Sequence, residues 1–225
     1  VLCTATQPAL GPLFAEFLPG RPAVELCPPE LCPPEPFRRV CFRQAGRLDW
    51  DTLSGQLQQH EQVLCVVNSR KSAQEIFTRL SGEGNFHLST LMYPAHRRAK
   101  LEEIRRRLKG GLPCRVISTS LIEAGVDVDF PAVFREEAGL DSILQAAGRC
   151  NREGKRPVSE SIVTLFQGEA APPPLFQTAI GAGRMVLEQY DDIASQEAIQ
   201  AYFHTLLELK GAEAQDIYGI LPKIR

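Results

Sequence analysis

The chain has 225 residues, 44% of them apolar, and a formal net charge of −2 at pH 7. Such a chain can build one generous globular domain or two small ones, and it carries no global positive field that would mark a nucleic-acid-binding protein. It contains no run of about 18 consecutive apolar residues, so the sequence predicts no membrane partner. Its seven cysteines are an odd number, and several lie in apolar runs, which favours a reducing, cytoplasmic compartment.

Residues 1–36 are interpreted as the end of one domain followed by a linker. The chain begins on VLC without a methionine, and we expect it to be a piece of a longer protein. Leu26 to Glu35 reads LCPPELCPPE, a tandem repeat whose four prolines exclude helix and central strand alike. Prolines flank both Cys27 and Cys32, and no second cysteine pair follows at ligand spacing, so no metal site is predicted.

Residues 37–168 alternate β-rich runs with helical patterns, which predicts an α/β domain with a parallel sheet and helices on both faces. Residues 169–225 are expected to form a helical tail. The predicted strands are Arg38 to Arg43, Val63 to Asn68, Phe86 to Thr90, Cys114 to Thr119, Ala132 to Glu136 and Ser161 to Phe166.

Helix ends are also readable. Ser72 and Glu75 form a capping-box pattern before an amphipathic helix. A helix from Ala95 to Lys109 should end at two glycines, and its many basic residues are interpreted as a solvated face. In the tail, Ser195 is the predicted N-cap of a helix that continues to Gly211.

Polar residues gather where the predicted strands end, which is where open parallel sheets place their chemistry. Ser69 and Thr119 follow two strands and are able to bind phosphate oxygens. Gly125 permits a tight turn before Asp127, whose carboxylate is a good acceptor for a ribose hydroxyl.

Arg149 and Arg152 are expected to project from one face of a helix capped by Asp141, next to Gly148. Guanidinium groups suit a γ-phosphoryl group. The chain contains no G-x-x-x-x-G-K-[ST] loop, so we expect the triphosphate to be held by another domain. Ordinary solvated helix cations are the alternative interpretation of these two arginines.

Four segments, namely TAT (Thr4 to Thr6), NSRKSA, STSLIEAGVDVDF and QAAGRCNR, resemble in order and spacing motifs III to VI of superfamily 2 helicases. Longer stretches, including LSTLMYPAHRRAKLEEIRRRL and IEAGVDVDFPAVFREEAGLDSILQAAGRCNREGK, resemble the CRISPR-associated helicase-nuclease of type I interference systems, with the type I-C subgroup as the nearest. The resemblance runs from Val1 to about Phe166.

The resemblance implies roles for individual residues. Gln145, Arg149 and Arg152 would face ATP as motif VI, and Gly125 and Asp127 would contact it as motif V. Asn68, Ser69 and Thr119 would touch the DNA strand, and Thr4 and Thr6 would couple the two sites.

The resemblance also implies that 37–168 is the second RecA-like helicase domain of an ATP-dependent single-stranded DNA translocase acting against foreign DNA. ATP and Mg²⁺ would be bound mainly by a first RecA-like domain that is missing here, as is an HD nuclease, so the isolated chain is expected to be inactive. A guide-RNA surveillance complex in the prokaryotic cytoplasm would be a further partner. The alternatives are a helicase-like module that only docks on such a complex, and another superfamily 2 motor.

Overall fold

The computed structural model of the chain describes residues 38–123 and 125–211. The predictions made for 1–36, including those for Thr4, Thr6 and the proline-rich linker, lie outside these ranges. In chain order the strands are β1 (Cys41–Arg47), β2 (Gln62–Val66), β3 (Asn85–Leu88), β4 (Cys114–Ser118), β5 (Ala132–Glu136) and β6 (Ile162–Gln167). The helices are α1 (Trp50–Gln58), α2 (Arg70–Arg79), α3 (Pro94–Lys109), α4 (Leu140–Ala147), α5 (Pro174–Gln189) and α6 (Gln196–Lys210).

The strands form one sheet in the order β1-β6-β5-β2-β4-β3, and every neighbouring pair is parallel. All residues of β5 are buried, as are the last four of β2, so the centre of the sheet is covered on both faces. The predicted parallel α/β architecture followed by helices is confirmed.

Two predicted element boundaries differ from the structure at the start of the sheet. β1 begins three residues later than predicted and continues to Arg47. It is an edge strand whose side chains are exposed or half-buried, so its apolar pattern is weak. The sequence prediction also missed α1, although Asp49 caps it and Trp50, Leu53 and Leu57 place one buried stripe on the core.

The predicted cap of α2 is wrong by one turn. Ser69, not Ser72, is the N-cap, and its Oγ accepts a hydrogen bond of 2.9 Å from the Ser72 amide. The capping-box pattern pointed to Ser72 because Glu75 stands three residues later, whereas the extended backbone that a cap requires occurs at Ser69.

The basic face of α3 is less solvated than predicted. Arg105 Nε donates to the carbonyl of Asp127 at 2.9 Å. Arg107 pairs with Glu103 at 2.8 Å and lies over the Phe86 ring. Arg106, in contrast, remains largely exposed, with Glu103 as its partner.

The described residues divide into two units. Residues Gly139–Asp141 and those from Leu175 onward form one, and the sheet with its remaining helices forms the other. In the first unit Ser195 caps α6 as predicted, with its Oγ accepting from the Ala198 amide at 3.1 Å. Tyr202 is buried and donates to Asp141 Oδ1 at 2.8 Å, so Asp141 lies in the first turn of α4 and is not its cap. No helix in the described ranges is long and apolar enough to cross a membrane.

Candidate functional site at the carboxyl edge of the sheet

The register of the sheet aligns the ends of four strands. Val66 of β2 lies beside Arg135 of β5 on one side and Ser118 of β4 on the other, and Ser118 in turn lies beside Leu88 of β3. Because all the strands are parallel, the loops that follow them emerge at one edge. Asn68, Ser69 and Thr119 are therefore brought to this edge, as predicted. Gly125 lies further on, in the segment that leads from β4 toward β5, and residues 150–152 lie near the starts of β5 and β1, beside Phe130 and Arg39.

Asn68 is engaged inside the domain through both halves of its carboxamide. Oδ1 accepts from Arg135 Nη1 at 3.0 Å, and Nδ2 donates to the carbonyl of Glu137 at 2.7 Å. A guanidinium only donates and a carbonyl only accepts, so this orientation of the amide is fixed by its partners. The Asn68 backbone N–H donates to Glu136 Oε2 at 2.6 Å.

Ser69 and Thr119 have different surroundings. The Ser69 hydroxyl caps α2 and lies 2.8 Å from Ser72 Oγ. Thr119 is buried, and its Oγ1 has no hydrogen-bond partner among the described residues. A buried hydroxyl without a partner is costly, so Thr119 Oγ1 holds an unused donor and acceptor beneath this edge.

Gly125 adopts φ +69°, a conformation that favours glycine, and a tight turn lies here as the sequence predicted. Two residues later Asp127 is exposed over 80% of its side chain, and its Oδ1 accepts from Arg152 Nε at 2.7 Å. The turn and the segment after α4 are thereby tied together at the surface.

Arg149 and Arg152 do not lie on a helix, contrary to the prediction. α4 ends at Ala147, and Cys150 forms a parallel bridge with Phe130. Asn151 then takes φ 46°, which turns the chain out of any helical path. The two arginines consequently enter different environments, while Gln145 lies half-buried within α4.

Arg149 is 8% exposed and faces inward. Its Nε donates to the carbonyl of Ile122 at 3.1 Å, and its Nη2 to the carbonyl of Glu123 at 2.5 Å. Burial lowers the pKa of its guanidinium, as does the nearby charge of Arg152. The side chain therefore holds the short turn that follows β4.

Arg152 is 41% exposed, and the described residues offer no hydrogen bond to its terminal Nη donors. Its backbone is held in place, since its N–H donates to Asp129 Oδ1 at 2.7 Å and its carbonyl accepts from Arg39. Asp129 is held by Arg156, whose Nη1 donates to both carboxylate oxygens at 3.0 Å. A fixed backbone with free guanidinium donors suits an incoming anion.

A buried ion pair at this edge was not predicted from the sequence. Arg135 Nη2 lies 3.1 Å from Glu123 Oε1, and both side chains are at least 95% buried. Next to them, burial raises the pKa of the Glu136 carboxyl. The hydrogen bond from the Asn68 amide and the charge of Arg135 lower this pKa but do not cancel the effect of burial. The signal was present: Ala132 to Glu136 is an otherwise apolar central strand that ends in Arg-Glu, and charges at such positions require buried partners.

The arrangement resolves into an outer and an inner layer. Arg152 and Asp127 are outside, where an anion and a hydroxyl-bearing ligand have access. Arg149, Glu123, Arg135 and Asn68 are inside and bonded to one another or to strand-end carbonyls. The described ranges contain no group of three or more His, Cys, Asp or Glu side chains placed to hold a metal ion.

Part of the chain matches a known protein family. Residues 59–155 match the family model for the C-terminal region of the CRISPR-associated nuclease/helicase Cas3. The matched segment contains Asn68, Thr119, Arg149 and Arg152. In this segment the chain is therefore similar to the C-terminal region of Cas3.

Two curated Cas3 nuclease/helicases are similar in sequence. That of Haloferax volcanii is 57% identical over 56 residues, which are 24% of this chain and 6% of the relative. That of Methanothermobacter thermautotrophicus is 28% identical over 134 residues, 57% of this chain and 16% of the relative. The chain thus spans a small part of the length of either relative.

Solved structures share the fold at low sequence identity. T. fusca Cas3 with ATP superposes with a TM-score of 0.60 at 14% identity, over 83% of this chain and 25% of that one. A chain from a CRISPR RNA-guided surveillance complex before nicking gives a TM-score of 0.57 at 16% identity, over 83% and 27%. The RecA-like fold expected from the resemblance is therefore confirmed.

Proposed function

We propose that this chain supplies the second RecA-like domain of an ATP-dependent single-stranded DNA translocase of the Cas3 family, of the type I-C subgroup. The observation that carries the proposal is that the Asn68 and Thr119 loops lie together at the carboxyl edge of the sheet, and that Arg149 ties the turn after Thr119 to the segment that presents the exposed Arg152. Loops at strand ends that contact phosphates bind a nucleic-acid strand independently of its base sequence, and a translocase must bind DNA in this way.

Arg152 is the proposed arginine finger. Its exposed Nη donors are available to a γ-phosphoryl group presented by another domain, and its backbone bonds to Asp129 fix where the side chain begins. A guanidinium at that point would stabilise the negative charge that spreads over the transferring group. Asp127 orients Arg152 through Nε and leaves the two Nη groups free.

The other residues expected near the nucleotide have supporting roles in the proposal. Gln145 would contribute from α4, and Gly125 would keep the turn before Asp127 close to the nucleotide. Arg149 would contact phosphate only after it releases the carbonyls of Ile122 and Glu123. In the observed arrangement it is therefore a positioning residue.

On the nucleic-acid side, Ser69 lies at the N-terminus of α2, where backbone N–H groups favour a phosphate. The Thr119 hydroxyl would find its missing partner in a DNA phosphate once the atoms that cover it move aside. Asn68 would position this loop, since its carboxamide is already bound inward.

ATP is the proposed cofactor, with Mg²⁺ held mainly by a first RecA-like domain, and hydrolysis of bound ATP would supply the free energy for translocation. The proposed partners are single-stranded DNA, an HD nuclease in the whole protein and a guide-RNA surveillance complex, consistent with the fold shared with a chain of such a complex. A cytoplasmic, prokaryotic location belongs to the same proposal.

Steady-state ATP turnover in the full-length protein tests the proposed role of Arg152. Arg152→Ala should lower DNA-stimulated turnover by ~10³-fold or more, and lysine should not restore it because a point charge does not reproduce the planar fork. Arg149→Ala should act in the same direction. The 225-residue chain alone, in the same assay, should hydrolyse no ATP above background.

Arg106→Ala is the matched control, since Arg106 is an exposed arginine of the same domain that pairs with Glu103 on its own helix. It should leave turnover within about twofold of wild type. Near-normal turnover in Arg152→Ala would contradict the arginine-finger proposal. Wild-type binding to a surveillance complex without any ATP turnover would favour the docking-module alternative.

A further inference from the structure

Arg135 occupies the centre of the buried layer. It is 2% exposed and lies at the end of the central strand β5. One guanidinium contacts the carboxylate of Glu123 at 3.1 Å, the carboxamide of Asn68 at 3.0 Å and the carbonyl of Glu136 at 2.8 Å. Asn68 and Glu123 belong to the loops that follow β2 and β4, and Glu136 is the last residue of β5.

The two loops that Arg135 joins have different proposed tasks. Asn68 precedes Ser69, which belongs to the side proposed to face DNA. Glu123 belongs to the turn whose carbonyls receive Arg149, on the side proposed to face ATP. A bonded path therefore runs from Asn68 through Arg135 and Glu123 to Arg149.

The path is suited to transmit a displacement. Arg135, Glu123 and Arg149 are buried and Asn68 is half-buried, so water does not replace a broken bond without cost. A guanidinium fork also holds its partners in a fixed geometry. A shift of the Asn68 loop on binding a DNA phosphate is then passed to the Glu123 turn and to Arg149, since moving one end alone would leave a buried charge unpaired.

We propose that Arg135, with Glu123 as its partner, is a positioning residue that couples occupancy of the DNA side of the edge to placement of Arg149 on the ATP side. This inference rests on the proposed helicase function. It assigns to the domain a connection between the loop proposed to face DNA and the turn proposed to face ATP. Neither residue touches nucleotide or DNA in this arrangement; both act through Asn68 and Arg149.

Glu123→Gln in the full-length protein tests the coupling with little change in side-chain shape. The ratio of ATP turnover with single-stranded DNA to turnover without it should fall by ~5-fold or more, because neutral Gln weakens the tie to Arg135. Arg135→Lys should lower the ratio as well, because one ammonium group does not span all three partners. Glu103→Gln, which breaks an ion pair on α3 away from the edge, should leave the ratio within about twofold.

Amide hydrogen exchange supplies a readout that does not depend on activity. In Glu123→Gln the amides of 66–70 should exchange faster, although they are more than 50 residues from the substitution, and in Glu103→Gln they should not. A change confined to 119–125 would overturn the path through Arg135.

The outcomes separate the two proposals. If wild-type protein shows no DNA-stimulated turnover, the helicase proposal fails. The hydrogen-exchange measurement then tests by itself whether Asn68 and Glu123 are linked through Arg135. If wild type is stimulated and Glu123→Gln keeps a ratio within twofold, the coupling is overturned. An equal loss of both rates with an unchanged ratio would reduce the pair to a purely structural role and would overturn it too.

Discussion

Asn151 lies between the two arginines of the site and has a left-handed backbone conformation. Its φ is 46°, it is 1% exposed, and its carboxamide bonds the carbonyls of Arg39 and Arg156 and the amide of Arg156, at 2.8–3.0 Å. Asparagine tolerates this backbone conformation better than most residues, and its carboxamide satisfies three partly buried backbone groups. It is the residue that turns Arg149 inward and Arg152 outward.

Replacing Asn151 should therefore cost stability in two separable ways. Asn151→Ala loses the three hydrogen bonds and adds strain at positive φ, at a total of ~2–4 kcal/mol in free energy of unfolding. Asn151→Gly loses the same bonds without the strain and should be ~1 kcal/mol less harmful. Urea unfolding of the 225-residue chain measures both, and equal losses would show that the backbone conformation carries no strain.

The sequence predicted that Asn68, Ser69 and Thr119 come together at the carboxyl edge, but it predicted neither the place nor the orientation of the two arginines. Arg149 and Arg152 are three apart, and a pattern rule places such residues on one helix face. The pairing of Cys150 with Phe130, twenty residues away along the chain, overrides that rule. Long-range pairing of this kind leaves no local signature, and the same holds for the contact of Arg135 with Asn68 and Glu123.

At the scale of the elements, strand prediction succeeded where burial on both faces makes a run apolar. β5 was predicted to the residue, and β2, β4 and β6 to within two residues. β1 was displaced because its exposed edge position removes the pattern. The helix α1 was missed, although an N-cap at Asp49 and the apolar stripe of Trp50, Leu53 and Leu57 are sequence signals of an amphipathic helix.

The N-terminus of α2 offers a direct comparison of two candidate caps. Ser69→Ala removes the oxygen that accepts from the Ser72 amide and should lower the free energy of unfolding by ~1 kcal/mol. Ser72→Ala removes a hydroxyl that lies 2.8 Å from Ser69 Oγ, and it should lower the free energy of unfolding by less. Chemical unfolding of both variants settles the order, and a larger loss for Ser72→Ala would restore the capping box that the sequence suggested.

At the scale of the whole molecule, the sheet unit carries ionisable groups whose burial opposes their charge. Burial lowers the pKa of His60, with the charges of Arg43 and Arg115 adding to it, and burial lowers the pKa of His87. Burial also raises the pKa of the thiols of Cys114 and Cys150 to about 12 in each case, which keeps both in the neutral form. The unit is therefore built to hold these groups uncharged.

The two histidines predict how the stability of the chain depends on pH. A histidine with a lowered pKa in the folded state contributes stability that is present above its unfolded pKa of about 6.5 and is lost as pH falls through the folded value. Glu136 acts oppositely: its raised pKa gives a contribution that is complete below its unfolded pKa and is lost as pH rises through the folded value. Between about pH 7 and pH 5.5 the histidines, whose unfolded pKa lies in this interval, should make the chain less stable as pH falls.

His87 permits this to be tested at one position. Its Nε2 is buried without a hydrogen-bond partner among the described residues, and its ring lies 5.7 Å from that of Phe77, so phenylalanine fits the chemistry of the site. His87→Phe should stabilise the chain and reduce the loss of stability between about pH 7 and pH 5.5, because the group no longer takes up a proton on unfolding. His96→Phe, at an exposed position, should leave the pH dependence unchanged. Urea midpoints across this range decide the matter: a decline as steep in His87→Phe as in the wild type would mean that the acid sensitivity arises elsewhere in the sheet unit.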